Sequence, residues 1–180
     1  MGWNSQPTAQ VNFEDARVPV ANRIGEEGEG FKIAMMGLDG GRLNIGACSL
    51  GTATAALKRA KEYAGEREQF GKKLAQFQAL QFKLADMATE LEAAKLMIYQ
   101  AAAKVDAKTP DATMHAAMAK RFATDAGFNV INEALQIHGG YGYLKDFPLE
   151  RHLRDARVHQ ILEGTNEIMR VIIAREFLKD

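Results

Sequence analysis

The stretch Phe77 to Lys108, FQALQFKLADMATELEAAKLMIYQAAAKVDAK, decides the fold. Leu80, Leu84, Met87, Leu91, Ala94, Ile98, Ala101 and Val105 recur at alternating steps of four and three. That spacing keeps one apolar seam on one side of a long helix, the pattern of a bundle or coiled coil. A seam of this length is buried only if other long helices lie along it. Pro110 closes the stretch, because the residue before a proline is pushed out of helical geometry.

Downstream, a helix is expected from about Asp111 to His138, with Met114, Met118, Phe122, Ala126, Val130 and Ile137 as its apolar face. Its methionines read as core filler rather than a binding surface. Gly139-Gly140-Tyr141-Gly142-Tyr143 stops it; no strand precedes these glycines and GxGxxG spacing is absent, so they are no dinucleotide fingerprint. Pro148 opens a short helix to about His159. The last helix runs from Thr165 to about Lys179, with Thr165 as N-cap and Ile168, Val171, Ile172 and Leu178 as its apolar pattern. Upstream, Phe31 to about Glu66 is helical, with Leu43, Ala47, Leu50, Thr54, Leu57 and Ala64 at threes and fours. Gly37, Gly40, Gly41, Gly46 and Gly51 inside it each cost roughly 1 kcal/mol relative to Ala. Close pressure from a ligand or from a neighbouring helix would justify them equally well. Arg67-Glu68-Gln69-Phe70-Gly71 breaks the run, with Gly71 as stop and Arg67 complementing the helix C-terminus.

Residues 1–30 do not read as helix. Thr8 to Phe13 alternates loosely as a strand would, and Pro19 with Gly25, Gly28 and Gly30 marks turns. One or two strands cannot bury themselves, so this segment needs a partner surface. The prolines at 7, 19, 110 and 148 all fall outside the expected helices. The fold expected is all-α: an up-and-down four-helix bundle over residues 31–180, with a short helix inserted before the last and a short β or irregular segment in front.

Of 180 residues, 47% are hydrophobic, enough to bury a core, and Lys plus Arg equals Asp plus Glu at 23 each. The balance gives no support for nucleic acid or a membrane surface as partner. No apolar run reaches the roughly 18 residues of a membrane span, and no secretory signal is visible. The single cysteine, Cys48, excludes an internal disulfide and suits a reducing compartment; its small-residue surroundings suggest a packed thiol. The four histidines form no metal-binding pattern.

One further stretch carries chemistry: Gln160-Ile161-Leu162-Glu163-Gly164-Thr165-Asn166-Glu167-Ile168-Met169-Arg170. An apolar pair delivers Glu163 to a glycine just before a helix. A carboxylate against apolar surface loses hydration and becomes a better general base. Gly164 lets backbone approach a ligand, and the free N–H groups of the next helix can receive a polarised oxygen. A solvated acid at a helix start is the plainer reading on local pattern alone.

Residues 160–170, with Gln-Ile-His-Gly-Gly-Tyr-Gly-Tyr (136–143), Arg-Glu-Gln-Phe-Gly (67–71) and Leu-Asp-Gly-Gly-Arg (38–42), resemble the acyl-CoA dehydrogenases in order and spacing. The whole chain is similar to the C-terminal helical domain of that family, with residues 1–30 similar to the tail of its middle β-domain. Gly-Trp-Asn-Ser-Gln-Pro-Thr and Gly-Gly-Tyr-Gly-Tyr-Leu-Lys-Asp bring it nearest the members acting on isobutyryl-CoA in valine breakdown. The resemblance implies FAD as cofactor, an acyl-CoA substrate oxidised to the enoyl-CoA, electron-transfer flavoprotein as electron acceptor, and a homotetramer built as a dimer of dimers.

It implies Glu163 as the base, with its own N–H as one donor to the thioester oxygen. The family's other position for a base is matched here by Gly41, which cannot act as one. Asp39, Gly40, Gly41, Arg42, Gly164 and Arg175 match substrate contacts. Arg67, Phe70, Phe77 and Gln78 match a loop reaching the FAD of a neighbouring subunit, with Arg67 near the pyrophosphate. Gln136, Ile137, His138, Gly139 and Gly140 match a second contact to the ADP half, in which His138 has no chemical role. Thr165, Asn166 and Glu167 match contacts to bound FAD. Surface salt bridging is the plainer role for Arg67, Gln78 and Glu167. Family members are longer, so the chain alone is expected to show little or no activity, and to self-associate. The expected location is the cytoplasm of a bacterium or the mitochondrial matrix of a eukaryote. The alternatives are a catalytically silent module that oligomerises or binds CoA, and an oxidase-like protein handing electrons to oxygen.

Overall fold

In the computed structural model, residues 1–6 and 8–179 are described; Pro7, expected outside any helix, and Asp180, expected to end the bundle, lie outside them. The helices are α1 (Gly30–Glu66), α2 (Gln78–Asp106), α3 (Ala112–His138), α4 (Leu149–Ala156) and α5 (Asn166–Phe177). This is the expected bundle of long helices with a short one before the last. α3 lies at its centre, packed against α1, α2, α4 and α5.

The α2 seam is buried as its spacing requires: Met87, Leu91, Ala94, Ile98 and Ala101 are in the core, with Leu80, Leu84 and Val105 half-buried at the ends. The faces of α1 and α3 differ from expectation. On α1 the buried line is Ile45, Ser49, Ala53, Ala56, Ala60 and Ala64, while Leu43, Leu50 and Leu57 sit half-buried beside it and Ala47 and Thr54 are exposed. On α3, Met114, Met118 and Phe122 are only half-buried; the core positions are Ala116, Ala117, Ala119, Ala123, Ala126, Val130, Ile131, Ala134 and Ile137. The reason is geometric. A central helix has several buried faces, and small side chains on two helices let their axes approach. A methyl added to Gly127 of α3 would meet Ser49 Oγ of α1 at 2.5 Å. Of the α1 glycines singled out from sequence, Gly37, Gly40 and Gly51 would meet nothing; only Gly41 and Gly46 have close neighbours. Cys48 is exposed on α1, not packed.

α1 ends at Glu66, one turn before Gly71. Residues 68–73 instead form a small antiparallel hairpin, Glu68–Gln69 (β1) with Lys72–Lys73 (β2), Glu68 facing Lys73. Phe70 and Gly71 at its tip have φ of 55° and 78°, the sign that a two-residue hairpin turn of the primed type requires. Gly71 therefore serves this turn rather than the helix end. Residues 8–13, expected as a strand, are exposed and carry no regular structure. The first residues are tied to α4 and the 3₁₀ segment after it: Trp3 N–H donates to Asp155 Oδ1 at 2.7 Å, its ring meets His159 edge-on at 5.5 Å, and Arg154 Nη1 donates to Met1 O at 2.9 Å. Among the described residues no helix is long and apolar enough to cross a membrane.

Candidate active site

Glu163 lies in the turn between a 3₁₀ segment, Arg157–Gln160, and α5. Its φ is 55° and that of Gly164 is 91°, so two successive residues are left-handed. Such a pair turns the chain sharply and aims the Glu163 side chain back at α1. Gly164 is needed because its φ strains any other residue; the nearest atom to an added methyl would be the flexible end of Met169, Cε at 2.7 Å. Thr165 caps α5, its Oγ1 accepting from the Ile168 N–H at 3.4 Å.

The half-buried Glu163 carboxylate lies against Gly41 of α1; a methyl at Gly41 would come within 2.8 Å of Glu163 Cδ. Next to Gly41 on α1, Arg42 is 7% exposed and donates from Nη1 to Asp39 Oδ1 at 2.5 Å, while Thr113 Oγ1 of α3 donates to Asp39 Oδ2 at 2.8 Å. Gly40 is exposed beside them, and Arg175 is exposed in the last turn of α5. The turn thus brings Glu163 together with Gly41, alongside Asp39 and Arg42. What results is a half-buried carboxylate, part of whose surface is left for a ligand.

Sequence reasoning missed the groups beneath the turn. Lys120 of α3 has no exposed surface, and its Nζ donates to Gly164 O and Asn166 Oδ1, both at 2.9 Å. Burial holds its pKa down to about 8; the carboxylates of Asp125, Glu167 and Glu163 act against that shift and the Arg42 cation acts with it. Asp125 Oδ1, one turn further along α3, accepts from Gln160 Nε2 at 2.8 Å and Asn166 Nδ2 at 2.7 Å. His159 is buried, and desolvation, then the Lys120 charge, lowers its pKa. One signal was available: Lys120 and Thr124 interrupt a run of alanines at core spacing on α3.

A second group of residues lines a groove at the far end of α1 and α3: Tyr63, Arg67, Gln69, Leu74, Ile137, His138, Gly139, Gly140, Tyr141 and Leu144. Arg67 lies over the Tyr141 ring at 5.6 Å, and the buried His138 ring stacks on Tyr63 at 4.3 Å while its Nδ1 meets Ala134 O at 2.8 Å. Gly139 and Gly140 are exposed with no atom within 4 Å of where a methyl would stand, so backbone is open to a ligand there. Phe70 is 92% exposed on the hairpin tip, edge-on to Phe77 at 6.5 Å; Gln78 is exposed at the start of α2, and Gln136 is exposed on α3. Around the start of α5, Thr165, Asn166 and Glu167 line a small pocket with Asp125, Gln160 and Arg170. A guanidinium, aromatic walls and bare glycine backbone suit a dinucleotide's pyrophosphate and adenosine, so this groove fits one half of FAD. Among the described residues no cluster of three or more His, Cys, Asp or Glu could hold a metal.

The family profile described as acyl-CoA dehydrogenase, C-terminal domain, matches residues 28–178. Mitochondrial isobutyryl-CoA dehydrogenase of Dictyostelium discoideum is 58% identical over 100% of this chain and 43% of its own length. The solved structure of butyryl-CoA dehydrogenase from Megasphaera elsdenii superposes with a TM-score of 0.90 at 51% identity, over 93% of this chain and 43% of that one. The FAD complex of PigA superposes with a TM-score of 0.85 at 34% identity, over 92% of this chain and 43% of that one. The chain spans less than half the length of each of these relatives.

Proposed function

The chain belongs to the acyl-CoA dehydrogenase family, and from that premise we propose that it is the part of an FAD-dependent dehydrogenase that carries the catalytic base. The substrate is a short branched acyl-CoA of the isobutyryl type. The observation that carries this reading is the Glu163 carboxylate held by a left-handed turn against Gly41, where the other base position known from the resemblance holds no side chain.

The α-proton of a thioester is very weakly acidic. Its removal needs a partly desolvated carboxylate within hydrogen-bond reach and a polarised carbonyl oxygen. Glu163 takes that proton onto a carboxylate oxygen. Its backbone N–H donates to the thioester oxygen, where negative charge develops. Asp39 and Arg42 line the acyl-CoA beside it, and the missing side chain at Gly41 leaves room for both carboxylate and substrate. FAD held at Thr165, Asn166 and Glu167 would supply the acceptor for the hydride leaving the β-carbon, with electron-transfer flavoprotein as the onward acceptor, and the Arg67–Tyr141–Gly140 groove would hold the ADP half of a neighbouring subunit's FAD. The product is the trans-2-enoyl-CoA. Residues 1–30 belong with the β-domain of such an enzyme and residues 31–180 form its helical domain, assembling as a homotetramer. The 180 residues alone turn over little or no substrate, because the exposed groove presents only one wall to FAD.

Glu163→Gln in the FAD-loaded enzyme tests the reading. The amide fills the same space but cannot take a proton. Bleaching of the flavin absorbance by isobutyryl-CoA should vanish while FAD stays bound. Bleaching at the unaltered rate in that variant, or none in the unaltered holoenzyme, would refute it.

A further inference from the structure

Burying an ammonium group costs free energy unless the charge is paired or fully hydrogen bonded. Lys120 is 0% exposed, and so are Ala116, Ala117, Ala123 and Thr124, its neighbours one turn away on α3. Its stem therefore runs through closely packed small side chains, and its Nζ emerges under the turn before α5. A carboxylate would be the ordinary partner for a charge placed there. The two hydrogen-bond acceptors are instead a backbone carbonyl, Gly164 O, and a neutral amide, Asn166 Oδ1. Both flank Glu163 on its C-terminal side.

The turn needs such a tether. Left-handed geometry at a non-glycine residue such as Glu163 costs on the order of the free energy of one hydrogen bond, and it persists only where surrounding contacts over-determine it. We propose that Lys120 is the positioning residue of the catalytic turn: by holding Gly164 O and Asn166 it fixes the backbone of Glu163 and delivers the carboxylate over Gly41. The same helix supplies a second tether, since Asp125 accepts from Gln160 on one side of the turn and from Asn166 on the other. Asn166 joins the two, because its Oδ1 accepts from Lys120 while its Nδ2 donates to Asp125, and to Thr124 Oγ1 at 2.9 Å. With both ends of the 160–166 segment fastened to α3, the Glu163 side chain is the part left free to meet substrate. Lys120 touches neither substrate nor flavin in this arrangement, and acts through Glu163.

The inference rests on Glu163 being the base, and its test separates the two. In the FAD-loaded enzyme, Lys120→Met keeps the length of the stem and removes both donors. The rate of flavin bleaching at saturating isobutyryl-CoA should fall tenfold or more, the half-saturating concentration should change less than about threefold, and FAD content should be unaltered. Lys120→Gln retains an amide donor and should lie between the two. Hydrogen exchange followed by mass spectrometry gives a readout independent of activity: peptides spanning 160–168 should exchange faster in Lys120→Met, with α1 and α2 unchanged. Wild-type bleaching rates in both variants would overturn the inference while leaving the role of Glu163 standing. Loss of the whole fold in both would also overturn it, by making Lys120 a general core support. Absence of bleaching in the unaltered enzyme would instead defeat the assignment of Glu163.

Discussion

At the scale of single residues, the buried lysine also governs how stability responds to alkali. Desolvation lowers the pKa of Lys120 from 10.5 to about 8. The charged and titratable groups that act on it or feel it are Asp125 on α3, Glu163 in the turn, Glu167 on α5, Arg42 on α1 and His159 before the turn. Between pH about 8 and 10.5 the unfolded chain keeps a proton that the folded one has released, so ΔG of unfolding rises with pH across that window from this group. The penalty for burying the charge is fully present below pH 8 and is progressively relieved above it. Urea midpoints at pH 7.5 and 9.5 should therefore show a smaller alkaline loss, or a larger gain, in the unaltered protein than in Lys120→Met. Equal pH dependence in the two would show that the lysine titrates as it does in the unfolded chain. The local sequence announced this only faintly, through a lysine and a threonine set among alanines at core spacing. Glu163 could be picked out because an acid before a glycine and a helix cap is a readable pattern. Lys120 reads as one more charge on a helix until α3 is known to be buried on several sides.

At the scale of elements, legibility followed side-chain size. The α2 seam was readable because its leucines and methionines repeat against polar neighbours, and the structure buries them. The contact between α1 and α3 was not, because it is made by Ala, Gly and Ser, whose small side chains give little periodic signal. Two glycines in that contact should respond oppositely to the same substitution. A methyl at Gly46 would meet Ile98 Cδ1 at 3.5 Å and Lys120 Cα at 3.7 Å, ordinary contact distances. Gly46→Ala should stabilise by about 0.5–1 kcal/mol through helix propensity alone. A methyl at Gly127 would meet Ser49 Oγ at 2.5 Å and Ser49 O at 3.3 Å, the latter being backbone that cannot rotate away. Gly127→Ala should destabilise by about 1–3 kcal/mol as the helices are forced apart. Chemical denaturation of both variants checks the pair, and the same sign in both would contradict the packing described. The hairpin at residues 68–73 escaped prediction for a different reason: Phe70 holds a positive φ, which no propensity assigns to phenylalanine.

At the scale of the molecule, the bundle leaves apolar side chains uncovered in a pattern that a second copy would satisfy. On α2, Phe82, Leu96 and Tyr99 are 59%, 62% and 68% exposed. Fourteen residues separate the first two and three the last two, so at about 3.6 residues per turn they lie on one outward stripe, opposite the buried seam. On α5, Ile168, Val171 and Phe177 are 49%, 55% and 72% exposed. Scattered apolar residues on a surface require no explanation, but a continuous stripe such as that on α2 marks a surface fit for association. Net charge is zero, so no overall repulsion opposes it. The fold was legible at this scale because long periodic helices permit few arrangements, whereas the outer faces were not, since a half-exposed apolar stripe looks the same in sequence as a half-buried one. The 19.8 kDa chain should therefore sediment as a concentration-dependent oligomer. Replacing Leu96 and Tyr99 together by glutamate should shift it to monomer while leaving its melting temperature within a few degrees, because neither side chain enters the core. A species that stays monomeric at high concentration before any substitution would contradict the assembly, and an oligomer indifferent to the double substitution would move the interface off α2.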